Sequence, residues 1–592
     1  MSSTSKSEII LKGIPASPGV AHGSAFIYLK GELEIPSYLV PADKREEEIE
    51  RFEQSLLETR RQISAIRNEV EERLGEEEAR IFDAHQMVLE DRALIEETIT
   101  GVIDSGYNIE HCFQKVASRY IEAFANIDDE YIKERVSDIR DVARRLLQNL
   151  MGKSDNALGR LSHEKVIVAE DLSPSDTATL EKGRVLAIVT DQGSRTSHAV
   201  IMARSIAVPA VVGLHNASKQ INPGDTILVD GYEGLLILNP KDDTLFRYGK
   251  IRIERQNIQR MFEESLKFPA KTQDGADLTV MLNIEGLEDP AVLRTSGAEG
   301  VGLFRTEALF LRKDRFPSED EQFVVYKRIV EGISPQPVII RTLDLGGDKM
   351  LQNNSLFDYE EANPFMGYRA IRFCLENPQL FKDQLRAILR ASAYGTAKIM
   401  FPMISCIDEL LDARQMVNEC MDELQRRGQP YDIRIKIGSM IEIPGAAYSA
   451  DHLAQNCDFF SIGTNDLIQY MLAVDRVNDR IAHLYQPSHP AVIRTIHHVI
   501  QSAHKYSIPV GICGEMAGDP VFAPLLYGLG ADELSISQSA LPEIKYLIRA
   551  MRLDDARKLA GDVLNCSRPH EITELVRKFY FDHIGPGVVK PV

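Results

Sequence analysis

The chain is 592 residues long, carries a formal charge of −20 and is 44% hydrophobic. Such a length predicts about three or four domains. Its acidity argues against nucleic acid or an anionic membrane as a main partner and suits a basic protein partner, and no stretch is apolar for long enough to span a bilayer.

The N-terminus, Met1 to Lys6, is polar and lacks the apolar core of a signal peptide. Residues 8–28 break short apolar runs with Gly13, Pro15, Pro18 and Gly19 and read as two strands. From about residue 43 to 152 the pattern turns helical. Ile49, Phe52, Leu56, Thr59, Ile63, Ile66 and Val70 are spaced alternately three and four apart. They form one stripe of a long helix, with Thr59 as its polar lapse and Asp43 as its N-cap. Further helices are expected over 75–104, 108–126 and 130–152, with turns at Gly106 and near Asp128. Strand patterns return at 166–169, 185–189, 210–212, 226–229 and 235–238. The Glu-rich helical module is therefore an insertion in a β-rich domain.

Inside that domain, residues 193–198 read Gly-Ser-Arg-Thr-Ser-His. Thr196 and Ser197 are N-cap residue types, 199–206 is a short apolar helix, and Pro209 stops it before a strand. His198 falls in or near the first helical turn. Unpaired N–H groups and the helix dipole there favour a phosphoryl group and a neutral imidazole, which is a competent nucleophile. The alternative is a loop histidine bonded to its neighbours.

Residues 241–270 are charged and helical, a linker to a long C-terminal domain. There, apolar strands at 279–282, 300–304, 338–341, 398–401, 435–441, 459–462, 510–513 and 533–536 alternate with helices, the pattern of a (β/α)₈ barrel. Barrel active sites lie at the C-terminal strand ends. Those ends carry Asn283, Arg305, Arg341, Met403, Glu442, Asn465 with Asp466, and Cys513 with Glu515. All but Met403 are polar or ionisable, which favours catalysis over scaffolding. Glu442 and Asp466 are hard-oxygen donors suited to Mg²⁺, or else a pair bridged to an arginine or a lysine such as Lys349. Arg305 and Arg341, with Arg369 and Arg476, suit a small anion with more than one negative group. Cys513 is the one cysteine at a strand exit followed by Gly-Glu, placed to give a proton to carbon. The other six, Cys112, Cys374, Cys406, Cys420, Cys457 and Cys566, read as small core or surface residues. Seven cysteines without a CxxC pair make no disulfide framework or thiolate zinc site and point to a reducing cytosol.

Seven motifs, Gly-Ser-Arg-Thr-Ser-His (193–198), Gly-Leu-Phe-Arg-Thr-Glu (302–307), Arg-Thr-Leu-Asp-Leu-Gly-Gly-Asp-Lys (341–349), Asn-Pro-Phe-Met-Gly-Tyr-Arg (363–369), Met-Ile-Glu-Ile-Pro (440–444), Phe-Ser-Ile-Gly-Thr-Asn-Asp-Leu (460–467) and Cys-Gly-Glu-Met-Ala-Gly-Asp (513–519), resemble, in order and from end to end, Enzyme I of the bacterial sugar phosphotransferase system. The resemblance implies a multidomain α/β protein. A swivelling phosphohistidine domain (1–35 and 154–240) would carry an inserted helical module (36–153) that docks the small carrier HPr. A linker helix (241–270) would lead to a phosphoenolpyruvate-binding and dimerisation (β/α)₈ barrel (271–592). It implies phosphorylation of His198 on Nε2, phosphoenolpyruvate held by Arg305, Arg341, Arg476, Asn465 and Asp466, Mg²⁺ on Glu442 and Asp466, and protonation of the pyruvate enolate by Cys513. His85, Glu90 and Asp91 belong to the docking face or to ordinary surface. Ser194 and Val477 depart from the residues common in relatives, where glycine is frequent. No segment the size of an ATP-binding domain is visible, which counts against a nucleotide-dependent dikinase. The intact Arg305, Arg341, Glu442, Asp466 and Cys513 set counts against a non-catalytic sensor that only displays His198.

Overall fold

The computed structural model describes residues 7–28, 33–74, 79, 81–125, 130–153, 164–178, 180, 183–194, 197–286, 288–311, 315–345, 363–478 and 480–584. It divides into two compact units, the first ending at Ile253 and the second beginning at Glu254.

The first unit is built on one eight-stranded sheet. Three strands, not two, open the chain: β1 (Ile9–Lys12), β2 (Ile14–Ser17) and β3 (Val20–Tyr28). The remaining strands are β4 (Lys165–Ala169), β5 (Val185–Thr190), β6 (Ala210–Val212), β7 (Thr226–Asp230) and β8 (Leu235–Leu238), and the sheet order is β1-β8-β7-β3-β4-β5-β6-β2. β1 and β2 are thus the two edges of the sheet. Gly13 makes the split possible, because a Cβ there would lie 2.5 Å from the Val212 carbonyl. β1 pairs antiparallel with β8 and β2 antiparallel with β6, so the two segments on either side of Gly13 close opposite ends of the sheet. The centre, β3 to β6, is parallel, and Ile167, Ile188, Val211 and Val189 there are fully buried.

Between β3 and β4 the chain forms the helices α1 (Arg45–Leu74), α2 (Ile81–Leu89), α3 (Arg92–Ser105), α4 (Ile109–Ala125) and α5 (Glu130–Leu150). The predicted stripe of α1 is its packed face: Phe52 and Ile63 are fully buried, as is Thr59. Thr59 donates to the Ser55 carbonyl at 2.6 Å and accepts from Asn149 Nδ2 at 2.8 Å, so the polar lapse is a satisfied link to α5. Asp43 does not cap α1; it lies within a 3₁₀ turn, Ala42–Lys44. The single helix expected over 75–104 is broken at Glu90 and Asp91, where Asp91 caps α3 by accepting from the Leu94 N–H. Gly106 ends α3 in the left-handed conformation, φ 70°. The turn expected near Asp128 lies outside the described residues.

The helix Asp242–Ser265 crosses from one unit into the other. Its first half packs Tyr248 on Leu228 and Ile237 of the sheet; its second half packs Phe262 on Tyr546, with ring centroids 5.2 Å apart. The second unit is a closed, all-parallel barrel of β9 (Thr279–Ile284), β10 (Val301–Phe304), β11 (Val338–Arg341), β12 (Ala397–Phe401), β13 (Lys436–Ile441), β14 (Phe459–Ile462), β15 (Val510–Ile512) and β16 (Glu533–Ile536). Alternation along each strand decides what the barrel encloses. Val338, Ile340, Ile399, Phe401, Phe460 and Ile462 face the helices, in the layer where full burial contributes about 1.5–3 kcal/mol per side chain. Leu303, Ile339, Met400, Met440, Phe459 and Cys513 fill the interior. No helix among the described residues is long and apolar enough to cross a membrane.

Candidate active site

The period-two alternation that turns Ile339 and Met440 inward also turns inward the residues two places on, Arg341 and Glu442. They open on a cleft of about 210 Å³ at the C-terminal end of the barrel. The cleft brings together Arg305, Arg341, Arg369, Glu442, Asn465, Asp466, Arg476 and Cys513, with Asp344 and Glu515. His198 belongs to the other unit. Lys349 lies outside the described residues.

Two glycines let the exits of β13, β14 and β15 converge. A Cβ on Gly463 would lie 2.6 Å from Glu442 Oε2, and one on Gly514 would lie 1.9 Å from Thr464 Oγ1. Asp466 comes not from a strand end but from the first turn of the helix Thr464–Leu472 that follows β14. Asn465 is fixed by a reciprocal pair: its Nδ2 donates to Glu515 Oε1 at 3.0 Å, and the Glu515 N–H donates to its Oδ1 at 2.8 Å.

The arginines differ in how far they are committed. Arg341 pairs with Glu307 and, at 3.0 Å, with Asp344; Arg369 pairs with Asp344 at 2.7 Å and with Asp466 at 3.5 Å; Arg476 pairs with Asp466 at 3.0 Å. Burial opposes the charge of Arg341, but Glu307, Asp344 and Glu442 outweigh it and hold its pKa above the ordinary value. The partly exposed guanidinium of Arg305 makes no hydrogen bond or ion pair with a described residue. Asp344 and Glu307 were not singled out from the sequence. Both stand within a motif that also holds a cleft arginine, so the signal was a carboxylate two or three residues from it.

Glu442 is fully enclosed, and its Oε1 accepts from the Met403 N–H at 2.7 Å. Burial first, then the charges of Asp466 and Asp344, push its carboxyl up to about 8. Two carboxylates that repel one another in one small cavity form a hard-oxygen donor set that a divalent cation would relieve, so they fit a divalent metal ion. Groups of three or more His, Cys, Asp or Glu side chains that could hold a metal ion are absent among the described residues. Cys513 lies one residue beyond β15, 2% exposed, and burial pushes its thiol up to about 11. Tyr470, raised to about 12 by burial, stands 3.3 Å from Arg369 Nη1.

In the first unit, His198 is the first residue of the helix His198–Ser205. Ser197 is its N-cap by backbone, φ −62° and ψ 150°, but makes no side-chain capping bond; its hydroxyl donates instead to the Ser194 carbonyl at 3.0 Å. Thr196 lies outside the described residues. The histidine proposed for the docking face, His85, is fully buried, packs edge-on against Phe82 and has Nε2 3.5 Å from Asp138. It is a core residue of the helical module, because the stripe of α2 that carries Phe82 and Leu89 carries it too. Glu90 is exposed and paired with Arg60 at 2.6 Å.

Three family models match the chain: "PEP-utilising enzyme, N-terminal" over residues 12–135, "PEP-utilising enzyme, mobile domain" over 161–234 and "PEP-utilising enzyme, PEP-binding domain" over 259–553. The chain is similar to the phosphoenolpyruvate-protein phosphotransferase of Bacillus sp. (strain S), 42% identical over 97% of this chain and 98% of that one. It is similar to that of Listeria monocytogenes, 42% identical over 96% and 99%. Among solved structures, the NMR solution structure of Enzyme I (nEIt) is 41% identical, covers 42% of this chain and 99% of its own, and has a TM-score of 0.37.

Proposed function

We infer the part each residue plays from the premise that the chain belongs to the phosphoenolpyruvate-protein phosphotransferase family and moves a phosphoryl group from phosphoenolpyruvate to protein. The phosphoryl group leaves the enolate oxygen as the P–O bond breaks, and a P–N bond forms at Nε2 of His198. From His198 it passes to a histidine of the carrier HPr, the first step of sugar uptake by phosphotransfer. The observation that carries this reading is the cleft itself: four arginines, set among four carboxylates, line a volume suited to one small polyanion.

Arg305, uncommitted among described residues, meets the incoming anion first. Arg341 and Arg476, with Asn465, orient the carboxylate and phosphate and neutralise charge as the phosphoryl group departs. Glu442 and Asp466 would hold Mg²⁺, which supplies positive charge opposite phosphate and enolate oxygens when bound. Cys513 gives its S–H proton to the methylene carbon of the enolate. The enolate π electrons form the new C–H bond, the oxygen becomes the ketone of pyruvate, and the thiolate recovers a proton from solvent.

One imidazole cannot serve a barrel cleft and a carrier protein at the same moment. The unit that carries His198 therefore swings, with the helix Asp242–Ser265 as the hinge. The helical module, acidic at the start of α1 with the exposed Glu46 and Glu47, receives a basic carrier. The protein works as a homodimer in the cytosol, a compartment in which its seven cysteines stay free.

The test is the His198→Ala variant, incubated with labelled phosphoenolpyruvate, Mg²⁺ and HPr. It keeps the wild-type circular dichroism and melting temperature and accepts no label. Acid-labile, base-stable phosphate on the variant would overturn the assignment.

A further inference from the structure

Asn283 has no part in the chemistry assigned so far, yet it is bonded to the residue that carries the proton. It stands near the end of β9, inward like Met281 two residues before it. β16 lies between β9 and β15 in the barrel, and Asn283 reaches past it: its Nδ2 donates to the Cys513 carbonyl at 3.2 Å. Its Oδ1 accepts from the hydroxyl of Ser535 on β16 at 2.7 Å. A carbonyl only accepts, so the amide NH₂ must face Cys513, and that leaves Oδ1 for the serine. The side chain thus has one orientation.

The ladder explains why such a bond is needed. β15 is three residues long, and its pairing with β16 ends at Ile512 and Leu534. Cys513 lies beyond it. Its N–H still donates to the Ile462 carbonyl at 3.1 Å, and its thiol approaches the same oxygen at 3.7 Å. β14 itself ends at Ile462, so the ladder offers the Cys513 carbonyl no further strand N–H, and Asn283 supplies the donor. Gly514 follows, a residue whose backbone turns freely unless it is held. We propose that Asn283, anchored by Ser535, is a positioning residue for the proton-transfer half of the reaction: it fixes the Cys513 peptide so that the thiol faces the methylene carbon from one side only.

The proposal rests on Cys513 being the acid. Its consequence is a split between the two half-reactions. Loss of the Asn283 amide frees the Cys513 peptide while leaving Arg305, Arg341 and Arg476 in place. A shift of about 1 Å at a reacting group costs on the order of 10²-fold. Asn283→Ala is therefore expected to lower steady-state turnover by about ten- to a hundred-fold. Affinity for phosphoenolpyruvate and single-turnover phosphorylation of the protein stay near wild type. Asn283→Asp, which keeps the contact to Ser535 but sets an acceptor against the Cys513 carbonyl, is at least as impaired. Ser535→Ala, which removes only the anchor, shows the same split at smaller size.

The decisive readout is the chirality of the pyruvate methyl group formed in deuterated solvent from stereospecifically tritiated phosphoenolpyruvate, measured on wild type, Asn283→Ala, Ser535→Ala and Cys513→Ala. Partial loss of chirality in the Asn283 and Ser535 variants, with substrate affinity kept, supports the assignment. Full chirality and wild-type turnover in Asn283→Ala, with both lost in Cys513→Ala, overturn the role of Asn283 and leave Cys513 as the acid. Stereospecific delivery at the wild-type rate by Cys513→Ala removes the acid itself, and the positioning role falls with it. If Asn283→Ala does not fold, the Ser535→Ala result decides, and wild-type behaviour there overturns the proposal.

Discussion

Both ends of the barrel hold buried charge, and they use it differently. At the N-terminal end, Glu533 opens β16 beside Gly302 and Gly511, and a Cβ on Gly302 would lie 2.6 Å from its Oε1. Burial pushes Glu533 up to about 7, with Lys398 acting against the rise. Lys398 is itself lowered by burial and lies 5.4 Å from the Phe459 ring centroid. There the neighbouring charges, Lys398, Asp532 and Glu299, act on Glu533, and Glu533 and Lys436 act on Lys398. At the C-terminal end, beyond an apolar layer that includes Leu303, Ile339, Met400 and Met440, the charges line an open cleft, and Arg305 faces it with no partner among described residues. A buried, perturbed ionisable group therefore does not by itself mark a site. What marks one is perturbed groups around room for a ligand.

The largest expected effect tests whether the cleft is one network. Arg341→Ala removes the cation shared by Glu307 and Asp344 and leaves both carboxylates buried. Breaking such an arrangement costs about 3–5 kcal/mol. Activity and folding stability should fall together, read as pyruvate release and as the denaturation midpoint. A variant that is inactive at wild-type stability would mean that the carboxylates find other partners. Cys513→Ala comes next. It should lose on the order of 10²-fold in turnover and still bind phosphoenolpyruvate as wild type does, because every arginine remains. Cys513→Ser should recover little, since a hydroxyl is far less acidic than even this raised thiol. Wild-type turnover in either variant would make Cys513 a packing residue. Arg305→Ala is smaller again. A charge-assisted bond of about 1.5–3 kcal/mol corresponds to roughly ten- to a hundred-fold in the KM for phosphoenolpyruvate. Stability should not move, in contrast to Arg341→Ala, and a destabilised Arg305→Ala would erase the distinction between committed and uncommitted arginines.

The barrel was legible in the sequence because buried parallel strands are short, continuous apolar runs, and all eight were placed within two residues. The charged exits were legible for a related reason: Arg341 and Glu442 directly end or follow apolar runs, where a scaffold has no use for them. Less local features were hidden. The edges formed by β1 and β2 depend on strands some two hundred residues away, so residues 8–28 read as two strands and not three. The break at Asp91 is a single cap bond inside an otherwise helical pattern. The burial of His85 depends on packing across the module, and a polar residue type hid it. Partner choice among the charges was the least legible of all. Asp344 stands three residues after Arg341, but only the fold shows that it also holds Arg369.

The smallest effect belongs to the closed end and leaves chemistry untouched. In the native barrel Glu533 keeps its proton up to about pH 7, whereas an unfolded carboxyl releases it near its ordinary value of about 4.3. Between those limits the native state binds more protons than the unfolded one, so stability falls as pH rises through the window and levels off above it. The full excursion is on the order of 4 kcal/mol at most. Glu533→Gln has no proton to lose, and its stability should show a flatter dependence between pH 5 and 7. The comparison is of slopes, because Gln also deprives Lys398 of an anion and so shifts the absolute value. Denaturation midpoints of wild type and Glu533→Gln across that range, with turnover measured alongside, give the answer. Parallel slopes would mean that Glu533 does not titrate there. Lost turnover would mean that the two ends of the barrel are coupled through the apolar layer between them.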